Sequence, residues 1–463
     1  MFRDLPRYPE MMVSQFWAAT APSHWEVHPG LAVLAENRRK NDGLIESQVL
    51  SLSYGRVVVK PAEKQRGLVP DSYESYQILG PGDIVVRPTD LQNDQTSIRV
   101  GHVKDRGIIT SAYIGLRARG SWSDAYAYHY LAVVDSSKRI YGMGSGLRQQ
   151  LGWPDLKRMP CLVPPPEEQA AIVKYLAHAN ARIDKVIAAK RRLIALLEEQ
   201  RQAEVSASIA NGDTATGDYW FPRLRAGWGV VSLGRVLHRA VDGPHFSPPY
   251  ANSGVPFLSA RNLKPGRWSL GDLKYIDETL ATEFDQRIRP EIGDVLYSKG
   301  GTTGVAKAVD IAERFQVWVH IAVLKLRRDL VSPDFLELVL NSSACYEQSQ
   351  LETRGATNQD LGLGRMKRIS IPIAPLEAQT AFVREIRCRV DHVTDAVGRT
   401  RREITLLQEF RTRLVADVVT GQVDVRAIAA TLPNAPEVAV EAFEEDVPLL
   451  DEELDDAVEG EDE

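Results

Sequence analysis

The stretch EEQAAIVKYLAHANARIDKVIAAKRRLIALLEEQRQAEVSASIA occupies residues 167–210, and a diverged copy, EAQTAFVREIRCRVDHVTDAVGRTRREITLLQEFRTRLVADVV, occupies residues 377–419. The two stretches align without a gap when one is shifted by 210 residues, and the match extends back to Leu151-Gly152 and Leu361-Gly362. Self-similarity of this length indicates an internal duplication. We therefore interpret the chain as two diverged copies of one unit, each ending in the same long element.

Both stretches carry apolar residues at alternating spacings of three and four, which is typical of a helix that lines one seam of a coiled coil. The predicted seam residues are Leu176, Ile183, Ile187, Ile194 and Leu197 in the first stretch and Val390, Val393, Val397, Ile404 and Leu407 in the second. Prolines precede both stretches, as the start of a helix tolerates. Each helix would be about 60 Å long at 1.5 Å per residue. A single exposed helix would leave its seam in water, so we expect the two to pair; the alternative is that each packs on its own domain.

Composition places the chain among ordinary soluble proteins of two to four domains, with 463 residues, 44% hydrophobic and 25% charged. No apolar run reaches the length of a membrane span, and the N-terminal residues lack the apolar segment of a signal peptide. Three scattered cysteines, Cys161, Cys345 and Cys388, predict neither a disulfide framework nor a zinc site. A cytoplasmic protein is expected.

Charge is distributed unevenly along the chain. Residues 434–463 contain fourteen Asp and Glu and no Lys or Arg, so removing them changes the formal net charge from −6 to +8. A mildly basic body is compatible with nucleic-acid binding without demonstrating it. The acidic segment is predicted to be disordered.

The predicted organisation is a first domain at 1–163, a long helix at 164–212, a second domain at 213–373, a second long helix at 374–426 and an acidic tail at 427–463. The first domain is predicted to be α/β, with short strand-like runs at 57–59, 84–86, 108–115 and 132–134. The second repeats its landmarks: Gly293-Asp294-Val295 corresponds to Gly82-Asp83-Ile84, and residues 322–327 correspond to 112–117 at the same 210-residue shift. The spacing between landmarks is kept while the intervening sequence differs, as expected for one scaffold that carries two surfaces.

Two short motifs suggest catalysis. Ser247-Pro248-Pro249-Tyr250 matches the motif with which amino-methyltransferases hold a target base, and Gly142-Met143-Gly144-Ser145-Gly146 resembles a glycine-rich loop for S-adenosylmethionine. The glycine run is not placed between a strand and a crossover helix, and its counterpart in the second copy has lost the glycines. We therefore predict no catalytic residue.

A third glycine-rich run, Gly300-Gly301-Thr302-Thr303-Gly304, lacks the Gly-Lys-Ser/Thr of a P-loop. Two interpretations stay open for it: a backbone cradle for a phosphate, or a tight hairpin turn. The histidines form no ligand pair of the HExxH type, so we predict no metal-binding residue.

The long helices and the domains they follow resemble the specificity subunit of type I restriction–modification systems. The resemblance rests on the caps Pro165-Pro166-Glu167-Glu168-Gln169 and Pro375-Leu376-Glu377-Ala378-Gln379 and on the closing run 419–426. It rests also on the opening of the second domain, with Asp242-Gly243-Pro244-His245, Pro248-Pro249-Tyr250 and Gly254-Val255-Pro256-Phe257-Leu258. It covers about residues 20–426, although the first domain lacks the Asp-Gly-x-His opening and the acidic tail lies outside the pattern.

This resemblance implies a mixed α/β (α+β) protein with two target-recognition domains and two long helices in an antiparallel coiled coil. It further implies a non-enzymatic subunit that recognises a split site on double-stranded DNA. Two methyltransferase subunits would dock on the helices and restriction/translocase subunits would join them, without membrane attachment. No cofactor is expected in this chain, because S-adenosylmethionine, ATP and Mg would belong to the partner subunits.

DNA contacts combine Lys and Arg at phosphates with polar side chains at base edges, so we selected polar and basic loop residues as candidates. They are Arg87, Thr89, Asn93, Gln95 and Arg99 in the first domain and Arg261, Asn262, Lys264, Arg267, Lys299, Thr302 and Thr303 in the second. Two alternatives remain at this stage: an adenine-specific DNA methyltransferase that uses the two short motifs, and a coiled-coil assembly scaffold without a DNA function.

Overall fold

The computed structural model describes residues 5–14, 16–17, 19–53, 55–61, 72–89, 91, 98–143, 150–210, 212–271, 273–355 and 359–434. The chain divides into two compact units: Met1–Arg191 with Arg402–Glu463, and Arg192–Arg401. Both divisions fall inside long helices, so each unit contains part of both. Among the described residues, no helix combines the length and apolar character that crossing a bilayer requires.

The first unit is built on a six-stranded sheet with the order β4-β11-β8-β9-β6-β5. The strands of this unit are β1 Met11–Ser14, β2 Ala19–Pro22, β3 Glu26–Pro29, β4 Leu34–Glu36, β5 Leu50–Ser53, β6 Arg56–Val59, β7 Gln77–Leu79, β8 Ile84–Val86, β9 Val100–His102, β10 Gly107–Ile109, β11 Ile114–Ala118 and β12 Pro160–Val163. Its helices are α1 Gly30–Val33, α2 Asp124–Ser136, α3 Trp153–Leu156, the first part of α4 Pro166–Ala210, the last part of α9 Leu376–Val419, and α10 Arg426–Thr431.

The second unit has a four-stranded sheet with the order β16-β24-β21-β22 and a three-stranded sheet with the order β20-β17-β23. Its strands are β13 Thr214–Ala215, β14 Arg223–Leu224, β15 Gly229–Ser232, β16 Leu237–Asp242, β17 Val255–Leu258, β18 Leu263–Lys264, β19 Arg267–Trp268, β20 Lys274–Ile276, β21 Val295–Ser298, β22 Ala306–Ala308, β23 Gln316–Val317, β24 Ile321–Leu326 and β25 Ser370–Ile373. Between them and the long helices lie α5 Glu278–Arg287, α6 Pro333–Leu340, α7 Ser343–Glu352 and α8 Leu363–Met366.

The internal architectures of the two units show the duplication directly. The order β4-β11-β8-β9 of the first sheet repeats as β16-β24-β21-β22 in the second. In both, the strand before the long helix pairs antiparallel with an early strand, β12 with β3 and β25 with β15. The equivalent central strands, β8 and β21, are buried at every position and therefore on both faces of their sheets.

Equivalent residues of β11 and β24 are offset by two positions from the 210-residue shift that aligns the long helices. Asp83 accepts two hydrogen bonds from Arg117 on β11, and the corresponding Asp294 pairs with Lys325 on β24, which makes Lys325 the counterpart of Arg117. The ungapped 210-residue shift predicted Arg327 instead. A slip of two residues keeps every side chain on its own face of the strand, which is why sequence spacing alone did not detect it.

Residues 132–134 were predicted to be a strand, and this prediction is wrong because they lie in α2. Ser123 caps this helix by accepting a hydrogen bond from the amide of Tyr126, and Val133 and Val134 are buried in the core of the first unit. Burial of these valines outweighs their modest preference for strands. The predicted run 108–115 is likewise divided between β10 and β11.

A buried glutamine joins each long helix to its domain. Gln379 is fully buried, accepts the amide hydrogen of Ser332 at 2.8 Å, and donates to the carbonyls of Leu330 and Ala374 at 2.8 Å each. Gln169 makes the same three contacts in the first unit, with the amide of Ser123 and the carbonyls of Ser121 and Pro164. In both units the amide that the glutamine satisfies is that of the residue capping α2 or α6, so one side chain connects two helices.

The long helices pair within each unit, and the pairing is antiparallel. In the first unit Asp184 contacts Arg411 and Lys190 contacts Glu403; in the second, Glu198 contacts Arg401 at 2.7 Å and Glu204 contacts Arg389 at 3.3 Å. In each pair of contacts, moving forward along α4 means moving backward along α9.

Most predicted seam residues are shielded from solvent. Leu176, Ile183 and Ile187 are buried in the core of the first unit, against which Ile404 and Leu407 pack. Val390 is buried in the core of the second unit, and Val393 and Val397 are buried as well. Ile194 and Leu197 are half-buried.

Candidate nucleic-acid interface

The first-domain candidates are only partly exposed. Arg99 is fully buried: its guanidinium donates to the carbonyl of Thr89 at 2.5 Å and to the hydroxyl of Tyr141 at 3.1 Å, while its backbone amide donates to Asp135 at 2.7 Å. Arg99 therefore connects the segment after β8 to Asp135 and Tyr141. The sequence predicted an exposed DNA contact at Arg99, and the structure buries it instead. Arg87 and Thr89 are half-buried. Asn93 and Gln95 lie outside the described residues.

Three second-domain candidates are also buried. Asn262 accepts the amide hydrogen of Ser259 at 2.8 Å and donates to the carbonyl of Ser269 at 2.9 Å, so its side chain closes a turn. Thr303 exchanges a hydrogen bond with Thr353 at 2.9 Å. Lys299, with a side chain 7% exposed, lies 2.9 Å from Asp360. Arg261 and Thr302 are the exposed members of the predicted set.

The Asp-Gly-Pro-His opening of the second domain is organised around Asp242. This buried carboxylate receives hydrogen bonds from Arg287 at 2.6 Å and from His245 at 3.2 Å, and it lies 3.4 Å from the Lys299 ammonium. Burial alone would raise the pKa of Asp242, but the hydrogen bond from Arg287 and the charges of Lys299 and His245 outweigh it, and the net pKa is lowered. A Cβ at Gly243 would lie 1.9 Å from the carbonyl oxygen of Val317, so only glycine fits there.

The motifs that suggested catalysis have local structural roles where they are described. Ser247–Tyr250 lies in the connection between β16 and β17, and the Lys274 ammonium sits 4.1 Å from the centre of the Tyr250 ring. Gly142 ends a 3-10 turn that follows α2, while Gly144, Ser145 and Gly146 lie outside the described residues.

The run 300–304 lies in the connection between β21 and β22, which spans residues 299–305. It is closed by hydrogen bonds from the amide of Ser298 to the carbonyl of Val305 and from the amide of Gly304 to the carbonyl of Ser298. The structure thus has a hairpin connection here, and the phosphate cradle stays a prediction.

Two of the predicted residues, Lys264 and Arg267, line a basic pocket of about 320 Å³ in the second unit. Its other lining residues are Glu198, Arg201, Gln202, Pro265 and Arg401, from the long helices and from the turn between β18 and β19. We call this set the hairpin pocket. Arg201 and Arg401 were not among the sequence candidates, because on the helices the apolar seam was the only feature that spacing could resolve.

The positive charges in the hairpin pocket repel one another, and this affects their pKa values. Burial lowers the pKa of Lys264, and the neighbouring charges of Arg267 and Arg401 lower it further. The pKa values of Arg201 and Arg267 are also lowered, in both cases chiefly by burial. Glu198 is the single carboxylate in the lining, and it contacts Arg401 at 2.7 Å.

Metal ligands are not assembled anywhere in the described part of the chain, where no group of three His, Cys, Asp or Glu is placed to hold an ion. Cys161 and Cys345 are buried free thiols. Burial raises the pKa of Cys345 to about 12 and that of Cys161 still further, so both are protonated at neutral pH. Neither thiol is therefore activated as a nucleophile or a metal ligand.

Comparison with known proteins shows what parts of this chain are similar to. Residues 226–386 match the family model described as the type I restriction modification DNA specificity domain. Among curated protein sequences, none matches the chain.

Three solved structures are similar to the chain. A structure addressing complex assembly and conformational transition of the type I R-M system matches with a TM-score of 0.52 and 16% identity, covering 87% of this chain and 99% of that one. The HsdS subunit from Thermoanaerobacter tengcongensis matches with a TM-score of 0.38 and 17% identity, covering 87% and 98%. The type I S subunit from M. genitalium matches with 0.36 and 13%, covering 85% and 96%.

The family match confirms the resemblance predicted from the helix caps and the opening of the second domain. The matched range, residues 226–386, includes Lys264, Arg267 and the Asp242 cluster. The first of the solved structures supports the predicted mixed α/β class with two long helices.

Proposed function

We propose that this chain is the sequence-specific DNA-recognition subunit of a type I restriction–modification complex, in which each of its two domains recognises one half of a bipartite target. The observation that carries the proposal is the match of residues 226–386 to a DNA specificity domain, together with the repetition of that domain's sheet order in the first unit. One scaffold used twice with different surface residues suits two half-sites of different sequence.

In the proposed complex, basic and polar side chains of the surface contribute differently to DNA binding. Basic side chains supply sequence-independent attraction to phosphates, while polar side chains at base edges select the sequence. Arg261 and Thr302 are exposed in the second domain and are proposed base or backbone contacts. Arg87 and Thr89 precede the segment that contains Asn93 and Gln95. They are the proposed DNA contacts of the first domain.

The partners follow from the same proposal. Two methyltransferase subunits and the restriction/translocase subunits would assemble on this chain and would supply the chemistry that needs S-adenosylmethionine, ATP and Mg. The long helices present exposed apolar residues that such partners can cover: Leu193 is 45% exposed, Leu196 54% and Leu406 61%. Exposed leucines on a paired helix are a feature of protein interfaces.

The decisive experiment is methylome sequencing of cells that express the methyltransferase partner with and without this chain. A bipartite methylated motif that requires the chain is the expected result, and an unchanged methylome would refute the proposal. Replacing residues 213–370 with the second domain of a relative should alter one half of the motif only. A swap that changed both halves would contradict the assignment of one half-site to each domain.

The enzymatic alternative has its own test, because it requires the chain to act alone. Purified chain incubated with labelled S-adenosylmethionine and adenine-containing duplex should transfer no methyl group unless the methyltransferase partner is added. Transfer by the chain alone would favour the methyltransferase hypothesis over the recognition subunit.

A further inference from the structure

The hairpin formed by β18 and β19 holds two cations side by side. Lys264 and Arg267 are direct cross-strand partners, and like charges in that position destabilise a strand pair. Pro265 and Gly266 occupy the turn between them, with Gly266 at φ +75°, a conformation that favours glycine. The sequence of this turn therefore fixes an arrangement that is electrostatically unfavourable without a counter-charge.

The turn of this hairpin contacts both the first long helix and α6. Arg201 donates to the carbonyl of Pro265 at 3.1 Å, and Glu337 accepts the amide hydrogen of Gly266 at 3.1 Å. A Cβ at position 266 would approach the Arg201 guanidinium to 2.8 Å, which shows how closely turn and helix pack. Both contacts are made by the peptide group between Pro265 and Gly266, so they hold the centre of the turn and with it the pairing of Lys264 and Arg267.

Three lysines of the second unit that are shielded from solvent have carboxylate partners. Lys299 contacts Asp242 and Asp360, Lys307 contacts Asp310 and Glu337, and Lys325 contacts Glu291 and Asp294. Within the described residues, by contrast, no carboxylate lies within ion-pair distance of the half-buried Lys264 or Arg267. Since a shielded charge is costly unless it is paired, the missing anion is expected to come from outside the chain.

The pocket has the chemistry of an anion site and is large enough to admit a phosphate group. Arg201, Lys264, Arg267 and Arg401 converge on a space of about 320 Å³, against the single carboxylate of Glu198. Guanidinium groups offer paired N–H donors that match phosphate oxygens, and an ammonium adds a point charge. The cations come partly from the helices and not from loops, which suits a contact that carries no sequence information.

We propose that the hairpin pocket binds a backbone phosphate of the target DNA and thereby positions the second domain on its half-site. This inference rests on the proposed function and deepens it by naming the contact and the ligand group. Free phosphate shares the same chemistry, so the test separates the two sources.

The first arm uses inorganic phosphate and the full chain. Thermal unfolding is followed in phosphate and in chloride at equal ionic strength for wild type, for the double variant Lys264→Gln/Arg267→Gln and for a control, Arg235→Gln/Arg328→Gln. The control removes two exposed cations of the same unit outside the pocket. A ligand that binds only the folded chain raises its melting temperature. Phosphate also stabilises folded proteins in general by being excluded from their surface, so the site is measured by the difference: phosphate should raise the melting temperature of wild type and control by more than that of the pocket variant.

The pocket variant is also expected to fold at least as well as wild type without phosphate, because it loses a like-charge pair. Should it nevertheless unfold, the single variant Lys264→Gln serves in its place, since it removes one member of the pair and leaves the Arg201 contact with Pro265 intact. The anion site is overturned if phosphate stabilises the wild-type chain no more than the pocket variant, both with and without residues 434–463.

The second arm measures duplex binding over a range of salt concentrations. The slope of log affinity against log salt falls in magnitude by about one for each phosphate that the protein no longer neutralises. The pocket variant should show this reduced slope, with weaker binding to target and non-target duplexes alike and the same preferred motif. The control measures what two exposed charges contribute by themselves.

The outcomes separate this inference from the proposed function. Phosphate stabilisation through the pocket with an unchanged DNA salt slope would overturn the backbone assignment and leave the recognition function standing. A wild-type chain that responds to phosphate but binds no duplex would refute both the function and the backbone contact. Phosphate stabilisation that emerges only after residues 434–463 are removed would assign the pocket to the acidic tail and overturn the proposal.

Discussion

The replacement Gln379→Ala tests whether one buried amide fixes the second long helix to its domain. The side chain is fully buried and makes hydrogen bonds to Ser332, Leu330 and Ala374, each at 2.8 Å. Alanine removes all of these and leaves an amide hydrogen and two carbonyl oxygens of the backbone without their partner.

The size of the stability loss depends on how buried the backbone groups are that lose their hydrogen-bond partner. Each net hydrogen bond is worth about 1 kcal/mol, and a buried partner left unsatisfied costs about 1–3 kcal/mol. Ala374 is buried, whereas Leu330 and Ser332 are half-buried and can recover water. Three groups at about 1–3 kcal/mol each would lower the free energy of unfolding by about 3–9 kcal/mol. We expect about 3 kcal/mol, the lower end of this range, because two of the groups can be rehydrated.

Hydrogen-exchange mass spectrometry measures this loss where it occurs. Peptides that cover α6 and the start of α9 should lose protection in Gln379→Ala, while peptides that cover α2 and the start of α4 should not. Gln169→Ala should give the mirror-image pattern, because it removes the same contacts in the first unit. Gln408→Ala, an exposed glutamine on the same helix, is the matched control and should change stability by less than about 0.5 kcal/mol.

The functional consequence is equally local. Gln379→Ala should weaken binding of the half-site assigned to the second domain and leave the first half-site unaffected, as measured with duplexes that carry one half-site each. Equal loss of protection in both units would refute the argument that each glutamine serves its own domain. A Gln379→Ala chain as protected as the Gln408→Ala control would refute the estimated energy.

Three further predictions follow from other parts of the chain. Deleting residues 434–463 should leave the methylated motif unchanged and raise non-specific DNA affinity, because it removes only negative charge; an altered motif would contradict this. Leu407→Pro should cost about 3 kcal/mol or more in the helix and should abolish preference for the full bipartite site over isolated half-sites in binding assays, whereas unchanged preference would count against a spacer role. Asp242→Asn should destabilise the second unit by about 3 kcal/mol at neutral pH. Because the pKa of Asp242 is lowered in the folded chain, its stabilisation is present above the ordinary carboxyl pKa and is lost as pH falls through the lowered value. Urea titrations across the acid range should thus show a shallower pH dependence for the variant, and parallel curves would refute the assignment.

Much of the scaffold was predictable because its determinants are local or periodic. The apolar spacing of 167–210 and 377–419 is enough to specify two long helices, and the structure has them at Pro166–Ala210 and Leu376–Val419. The duplication follows from matching positions such as Gln169 and Gln379, whose identical contacts explain why this residue recurs at the same place in both caps. The opening at Asp242-Gly243 was identified by resemblance, and its physical basis is the contact between Gly243 and Val317.

Tertiary structure alone decided which candidate residues are exposed. Four candidates have the polar or basic side chains that contact DNA, yet each is buried and makes hydrogen bonds or ion pairs within its own domain: Arg99, Asn262, Lys299 and Thr303. Polarity indicates that a side chain needs partners, but it does not say whether those partners are water, DNA or the protein. The helix at 124–136 shows the same limit for backbone structure, because burial against the core overrode the strand preference of its valines.

The hairpin pocket marks the same boundary between sequence and structure. Lys264 and Arg267 are close in sequence, and their spacing around Pro265-Gly266 predicts a turn with two basic flanks. Arg201 and Arg401 join them only because each long helix turns a particular face toward that hairpin, which heptad spacing does not specify. Helical periodicity determines which residues share a face, whereas the packing of the whole second unit determines what that face meets; the sequence therefore establishes the helices and the turn, and the fold alone brings their charges together.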